Sequence, residues 1–384
     1  MLNFTFCNPV KIVFGKETIA ELETLIPIEK YVMMVYGGGS IKKNGVYEQV
    51  KKALKHHDMV EFGGIEPNPL YETCMKAVEI CRRDKIDFIL AVGGGSVLDA
   101  SKFIAASVDF DGEDPWEILV KGAEITSAIP IGSVMTLPAT GSEMNSNSVI
   151  SRKSTTEKFH FSSPLVYPQF SILDPETTYS LPERQTANGI VDAFVHVMEQ
   201  YMTFDVNAPL QDRQAEAILL TLIEEAPKVK ANPNDYNARA NIMWCAAEAL
   251  NGVISSGVPQ DWATHMLGHE LTAVYGLDHA QTLACVLPSL LRNRKNAKLG
   301  KLVQMGRRVF GINENDNEKG AEKTIGSIED FFHSVGMKTK LSDYNIASGD
   351  AANKILERLS KRNAIYGEHE DITPDISAEI IKNC

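Results

Sequence analysis

The first 175 residues of this 384-residue chain hold four short apolar runs, each followed by a glycine or proline, that read as strands, and the remainder holds no convincing alternating strand. The runs are Lys30–Tyr36, Asp87–Val92, Ser133–Leu137 and Phe170–Leu173. Short apolar stretches bounded by turn-forming residues are the pattern of buried strands. Between them lie stretches such as Tyr71–Arg83 and Val97–Ser107, where apolar residues recur at intervals of three and four, the period of a helix with one buried face. Strands alternating with helices predict a mostly parallel, doubly wound sheet, because a parallel connection must cross over and its helix covers a sheet face. The opening segment Asn3–Phe14 is strand-forming but broken by Asn8-Pro9, and is expected as a separate edge ribbon.

After Leu173-Asp174-Pro175 the texture changes, and from Ser180 onward the pattern is helical almost throughout. Ser180-Leu181-Pro182-Glu183 has capping-box spacing with proline near the helix start. Asp261 and Asp278 stand where N-caps belong, and Gly276 where a helix should stop. A chain of this length exceeds one ordinary core, so we expect an α/β domain over residues 1–178 and an all-helical domain over residues 179–384.

Composition narrows the function classes. Hydrophobic residues at 44% and charged residues at 23% describe a globular protein. No apolar run reaches the ~18–20 residues that cross a bilayer, and Met1–Phe6 lacks the basic start of a secretory signal, so a cytosolic location without membrane association is expected. The six cysteines (Cys7, Cys74, Cys81, Cys245, Cys285, Cys384) lack metal-site or redox spacing and are expected as free thiols. A net charge of −12 opposes nucleic-acid binding. The basic stretch Arg292–Arg308 is expected as a solvated helix face.

Three loops follow the first three runs. Gly93-Gly94-Gly95-Ser96 opens a helix, where glycines admit a diphosphate close to the backbone and the helix N-terminus offers N–H groups. It is not the GxGxxG fingerprint, and a tight turn without ligand fits it equally. Gly37-Gly38-Gly39-Ser40 follows a strand that lacks the terminal acidic residue usual for NAD, while Ser40, Lys42 and Lys43 favour the 2′-phosphate of NADP. Surface lysines beside an ordinary turn are the other account. Thr136–Glu143 places small hydroxylated residues at a third strand end.

Four of the six histidines in the helical part, His196, His265, His269 and His279, fall within one stretch of it. Asp192 and His196 share a helix face at i,i+4 within a very apolar segment, where a carboxylate is costly unless its charge is compensated. His265 and His269 form a second such pair, and His279 stands at the start of another helix. One carboxylate with imidazoles from separate helices suits Fe²⁺ or Zn²⁺ and leaves a coordination position open.

Taken together, these segments resemble the iron-containing (group III) alcohol dehydrogenase family, in particular its NADPH-dependent aldehyde reductase and butanol dehydrogenase branch. The carrying residues are Gly37–Ser40 with Lys42-Lys43-Asn44-Gly45, Phe62–Pro69, Gly93–Asp99, Thr136–Glu143, Asn188–His196 and His265–Glu270. The resemblance spans essentially the whole chain. It implies a Rossmann-like N-terminal domain and an all-α C-terminal domain, the dehydroquinate synthase-like architecture, with the active site in the cleft between them and a homodimer as the assembly. It implies Asp192, His196, His265 and His279 as metal ligands, with His269 beside the site. It further implies Gly37, Gly38, Gly39 and Ser40 around the adenosine 2′-position, Gly94, Gly95 and Ser96 at the pyrophosphate, and Asp99, Thr136, Thr140 and Lys158 on the ribose and nicotinamide side.

The implied reaction is hydride transfer between NADP(H) and short- to medium-chain aldehydes or primary alcohols, with NAD(H) preference as the alternative. His269 is the expected proton relay. Trp262 is a plausible substrate wall, although core packing explains it as well. A lyase of the dehydroquinate synthase type would need several cations for its anionic substrate, and the segments around these ligands supply few. A nucleotide- or metal-binding sensor would bind the cofactor without turnover.

Overall fold

The computed structural model describes residues 1–384 and forms two compact units, Cys7–Pro182 with Asn234–Ala247, and Met1–Phe6 with Glu183–Pro233 and Glu248–Cys384. Two segments therefore join the unit on the far side of the division expected near residue 178: the first six residues lie with the helices, and Asn234–Ala247 lies with the sheet. The hydrophobic periodicity that locates elements carries no signal for either excursion.

The sheet unit holds eight strands: β1 (Lys11–Phe14), β2 (Val32–Tyr36), β3 (Met59–Phe62), β4 (Phe88–Gly94), β5 (Ile131–Leu137), β6 (Asn147–Arg152), β7 (Glu157–Ser162) and β8 (Phe170–Leu173). Six form one parallel sheet in the order β1-β8-β5-β4-β2-β3, and β6 and β7 pair as an antiparallel hairpin. Alternate residues of the central strands face two cores. Val32, Met34, Phe88, Leu90 and Val92 enter one, and Met33, Val35, Ile89 and Ala91 enter the other. Burial on both faces is why these strands are continuous apolar runs rather than alternating ones.

Three strands escape the sequence signals. β3 is half-buried throughout and carries Glu61, so it lacks an apolar run, and the hairpin β6–β7 is polar on its outer face. The separate N-terminal ribbon is also corrected. Residues 1–10 form no strand, and Lys11–Phe14 pairs in parallel with β8 as the sheet's own edge.

The helical unit contains no strand, only an isolated bridge between Tyr366 and Ile372. Its helix Glu183–Tyr201 is buried almost without interruption from Ala187 to Tyr201, which marks it as the central helix of the unit. A core of Leu267, Leu271, Val286, Leu290, Ile355, Leu359, Ile380 and Ile381 joins the helices Ala263–Tyr275, His279–Asn293, Ser348–Arg362 and Pro374–Lys382. Gly276 ends one of these in the left-handed conformation, and Asp278 opens the next through a capping box with Gln281. Asp261 stands one residue before the cap position taken by Trp262.

The basic stretch Arg292–Arg308 is a solvated face only in part: Arg292, Arg307 and Arg308 are exposed, but most of its cations are ion-paired. Arg292 pairs with Glu322 and Glu329, Lys301 with Asp212, and Arg308 with Glu216. Lys298, only 3% exposed, meets Asp261 and Glu368. The carboxylates come from distant segments, so a one-dimensional charge pattern cannot reveal them. All six cysteines are free thiols, four of them buried. No helix is long and apolar enough to cross a membrane.

Candidate functional site

Two sets of residues stand out, one in each unit. In the helical unit, a single carboxylate oxygen organises the first. Asp192 Oδ1 lies 3.8 Å from His196 Nδ1, 3.8 Å from His265 Nε2 and 3.8 Å from His279 Nε2. Asp192, His196 and His265 are each about 5% exposed, and the His279 side chain is 22% exposed. One ligand atom from each of Asp192, His265 and His279 falls within 4.8 Å of the others, a group able to hold a metal ion. His196 stands outside that group, its ring stacked on His265 at 4.6 Å between centroids.

The donor set fits a divalent ion. His265 Nδ1 faces Glu199 Oε2 at 2.7 Å, so the ring's proton belongs on Nδ1. Nε2 is then a bare lone pair, buried without a hydrogen-bond partner, and it faces another acceptor, Asp192 Oδ1. Two acceptors turned toward each other in a buried site are satisfied by a positive charge between them, a proton on Nε2 or a metal ion in its place. Tetrahedral bonds of about 2.0–2.2 Å set ligand atoms roughly 3.3–3.6 Å apart, and the three nitrogens stand just outside that range from Asp192 Oδ1, at 3.8 Å. Its field also favours positive charge. Burial alone would lower the His265 pKa, but the carboxylates of Glu199 and Asp192 outweigh it and raise the pKa to about 9.

His269 is buried beside this set, its ring 6.4 Å from His265 and 5.0 Å from His279. Trp262 turns its ring edge-on to His265 at 5.3 Å and His196 at 6.2 Å, so it borders the imidazoles.

In the sheet unit, β2, β4 and β5 are parallel neighbours, with Tyr36 opposite Val92 and Gly94 opposite Leu137. Gly37–Ser40, Gly94–Ser96 and Thr136–Glu143 therefore leave the sheet at its carboxyl edge. The chain's direction of winding reverses between β2 and β4, and ligands of open α/β sheets bind at such a reversal. Gly94 caps the helix Gly95–Ser107 with no side-chain hydrogen bond, leaving the first N–H groups open to an anion. Gly95 is required by packing, since a Cβ there would lie 2.4 Å from Thr140 Oγ1. Gly63 is required too: a Cβ would lie 2.4 Å from the Tyr36 ring, beside which Gly64 and Ile65 hydrogen-bond to the backbone of Gly37 and Tyr36.

Asp99 is buried, and its carboxylate accepts from Ser142 Oγ at 2.8 Å and Val149 N–H at 3.0 Å. A buried Lys102, one helical turn on, donates to Ser142 O and Oγ, Asn145 O and Oδ1, and Asn147 O, all within 3.1 Å. These bonds pin the turn after β5 onto the helix Gly95–Ser107. Burial lowers the Lys102 pKa to about 8 despite Asp99 and Glu143. Burial likewise raises Glu143 to about 7, with both carboxylate oxygens lacking a hydrogen-bond partner. Lys158, on the hairpin, donates to Asn68 Oδ1 at 2.8 Å. Ser40 and Gly38 are exposed.

The strand end of β2 does have an acidic neighbour. Glu61, opposite Met34 on β3, accepts from Tyr47 at 2.7 Å and lies 3.7 Å from Lys42 Nζ and 3.4 Å from Lys51 Nζ. It escapes a sequence search because it arrives from the next strand. Glu199 and Lys102 were missed for a related reason, since a lone charged residue in an apolar helix has no spacing signature. Glu199 does stand seven residues after Asp192, on the same helix face.

The profile of the iron-containing alcohol dehydrogenases matches residues 9–175, and that of the family's C-terminal domain matches residues 186–383. The chain is 54% identical over 383 residues to the NADPH-dependent aldehyde reductase YqhD of Escherichia coli, covering 99% of both chains. It is 41% identical over 387 residues to the probable NADH-dependent butanol dehydrogenase 1 of Bacillus subtilis, covering 100% of this chain and 99% of that one. The crystal structure of Escherichia coli YqhD superposes with a TM-score of 0.97 at 53% identity, over 99% of this chain and 98% of that one. The chain thus belongs to the iron-containing alcohol dehydrogenase family, and is an oxidoreductase acting on alcohols or aldehydes with a nicotinamide cofactor and a metal.

Proposed function

We propose that this enzyme reduces short- to medium-chain aldehydes with NADPH, using Fe²⁺ or Zn²⁺ held by Asp192, His196, His265 and His279. The observation that carries the metal set is the convergence of three imidazole nitrogens, each 3.8 Å away, on Asp192 Oδ1. When bound, such an ion supplies Lewis acidity toward the carbonyl oxygen. The chain's own residues do the rest. Asp192 compensates the cation's charge, the imidazoles fix its position, and their buried surroundings limit competing water. His269 exchanges the product's proton with solvent at a ring nitrogen. A His269→Ala variant with full turnover and an unaltered pH profile would remove that role.

On the cofactor side, we assign nucleotide binding to the α/β domain (residues 1–178) and metal binding to the helical domain (179–384), apart from the two exchanged segments. Gly37, Gly38, Gly39 and Ser40 take the adenosine 2′-phosphate end. Gly94, Gly95 and Ser96 take the pyrophosphate, supported by the uncapped helix N-terminus. Thr136, Thr140, Asp99 and Lys158 shape the ribose and nicotinamide side. A cytosolic homodimer completes the proposal. The exposed Met1, Leu2, Phe4 and Phe6 support association, and light scattering of the purified chain tests it.

One observation favours NADH instead: Glu61 brings negative charge beside the β2 end and engages Lys42. The deciding experiment follows oxidation of NADPH and of NADH with a panel of short aldehydes, on metal-replete and chelator-treated enzyme. Metal-dependent turnover that favours NADPH supports the proposal. Turnover favouring NADH reassigns the cofactor, and metal-loaded protein inactive with both overturns the reductase assignment.

A further inference from the structure

The helix Glu183–Tyr201 carries a third polar residue on the face of Asp192 and His196. Glu199 is 2% exposed, and its carboxylate takes hold of His265 twice. Oε2 lies 2.7 Å from the ring nitrogen Nδ1, and Oε1 accepts the backbone N–H of the same residue at 3.0 Å. The second bond supplies a cap that the local sequence omits. Trp262 occupies the N-cap of the helix Ala263–Tyr275 without a side-chain hydrogen bond. His265 is the third residue of that helix, so its N–H has no partner within the helix. A neighbouring helix provides one.

The clamp is itself braced. The backbone carbonyl of Glu199 accepts the N–H of Asp261 at 2.8 Å. Asp261 Oδ1 accepts from Ala263 N–H at 3.0 Å, and its Oδ2 is 2.7 Å from Lys298 Nζ. Lys298 also donates to Met202 O at 2.6 Å and to Glu368 at 2.9 Å. Capping alone would engage one oxygen of Glu199. The other oxygen, on the imidazole, determines which ring nitrogen keeps a proton and which offers a lone pair toward Asp192.

We propose that Glu199 is a positioning residue of the metal centre: it holds His265 in the Nδ1–H form with Nε2 aimed at the ion, and its charge strengthens that nitrogen as a ligand. The inference rests on the metal assignment proposed above. Carboxylates placed behind a ligating imidazole typically contribute roughly 10–100-fold to metal affinity.

The experiment titrates Zn²⁺ into full-length wild type, Glu199→Gln and Glu199→Ala against a chromophoric chelator, with melting temperatures of the metal-free forms measured alongside. Expected is Zn²⁺ binding weakened roughly 10–100-fold in Glu199→Gln, which keeps an acceptor but loses the charge, and weakened further in Glu199→Ala. A lowered melting temperature with Zn²⁺ affinity within twofold of wild type reduces Glu199 to a helix cap and overturns the proposal. Wild type that binds no Zn²⁺ fails at the metal assignment, a result distinct from equal binding by wild type and variants. A second measurement needs no variant to fold. Long-range ¹H–¹⁵N correlations of Zn²⁺-loaded wild type should show the His265 proton on Nδ1, and the opposite tautomer overturns the proposal.

Discussion

In the helical unit, Asp192, His196, His265 and His279 ride on the faces and first turns of helices. In the sheet unit, Gly37–Ser40, Gly94–Ser96 and Thr136–Glu143 lie on turns that leave one edge of a parallel sheet. The helices hold polar side chains in directions set by the helix, and that of His265 is backed by Glu199. The turns present backbone, and what makes them usable is the absence of side chains at Gly63 and Gly95. A site made of side chains should fail through lost chemistry, whereas one made of backbone should fail through lost space.

The largest test of that contrast is Asp192→Ala. It removes the carboxylate on which three imidazoles converge. We expect loss of stoichiometric metal by elemental analysis and a fall in turnover of at least about 10³-fold, since metal Lewis acidity contributes several kcal/mol. A variant that keeps metal and most of its activity would break the comparison on the helical side.

Next in size is the pH response of Glu143. Its folded pKa is raised from the ordinary 4.5 to about 7 by burial. Between those values the folded state keeps a proton that the unfolded chain has released, so this group's contribution to stability is present below pH 4.5 and lost as pH rises through 7. The loss is on the order of 3 kcal/mol if the shift is fully expressed. Glu143→Gln should flatten that part of the curve, measured as melting temperatures from pH 4.5 to 8. An unchanged slope would mean the carboxylate is not kept dry.

Third, Gly95→Ala and Gly38→Ala separate packing from cofactor contact. A Cβ at Gly95 would collide with Thr140, so a cost of about 1–3 kcal/mol is expected together with weaker NADPH binding. At Gly38 a Cβ meets nothing within 4 Å. Thermal stability should therefore hold while the KM for NADPH rises, and an unaltered KM would take Gly38 out of the cofactor site. The smallest effect is expected at Glu61→Gln, which frees Lys42 and should shift preference toward NADPH by a few-fold, under about 1 kcal/mol. A shift toward NADH would invert the role given to Lys42.

Much of the fold was legible. The strands at Lys30–Tyr36, Asp87–Val92, Ser133–Leu137 and Phe170–Leu173 lie within two residues of β2, β4, β5 and β8. They are buried on both faces, and such burial writes a continuous apolar run into the sequence. β3 and the hairpin are half-buried, and half-burial leaves a mixed pattern that resembles a loop. Asn234–Ala247 reads as one more helix, and nothing in its period says that Met243 and Ala247 pack in the sheet unit's core.

The site divides in the same way. Asp192 with His196, and His265 with His269, announce themselves because a helix of 3.6 residues per turn places i and i+4 on one face. Sequence alone therefore determined which polar side chains share a helix face, where the glycine turns follow strands, and the family to which that combination points. Only the tertiary structure decided that three imidazoles meet one oxygen of Asp192, that Glu199 stands behind His265, that Lys298 is buried between two carboxylates, and that Glu61 reaches the β2 end. The first group depends on backbone geometry within one element. The second depends on which faces pack together, set by the burial of whole helices and strands rather than by the polar residues they bring into contact.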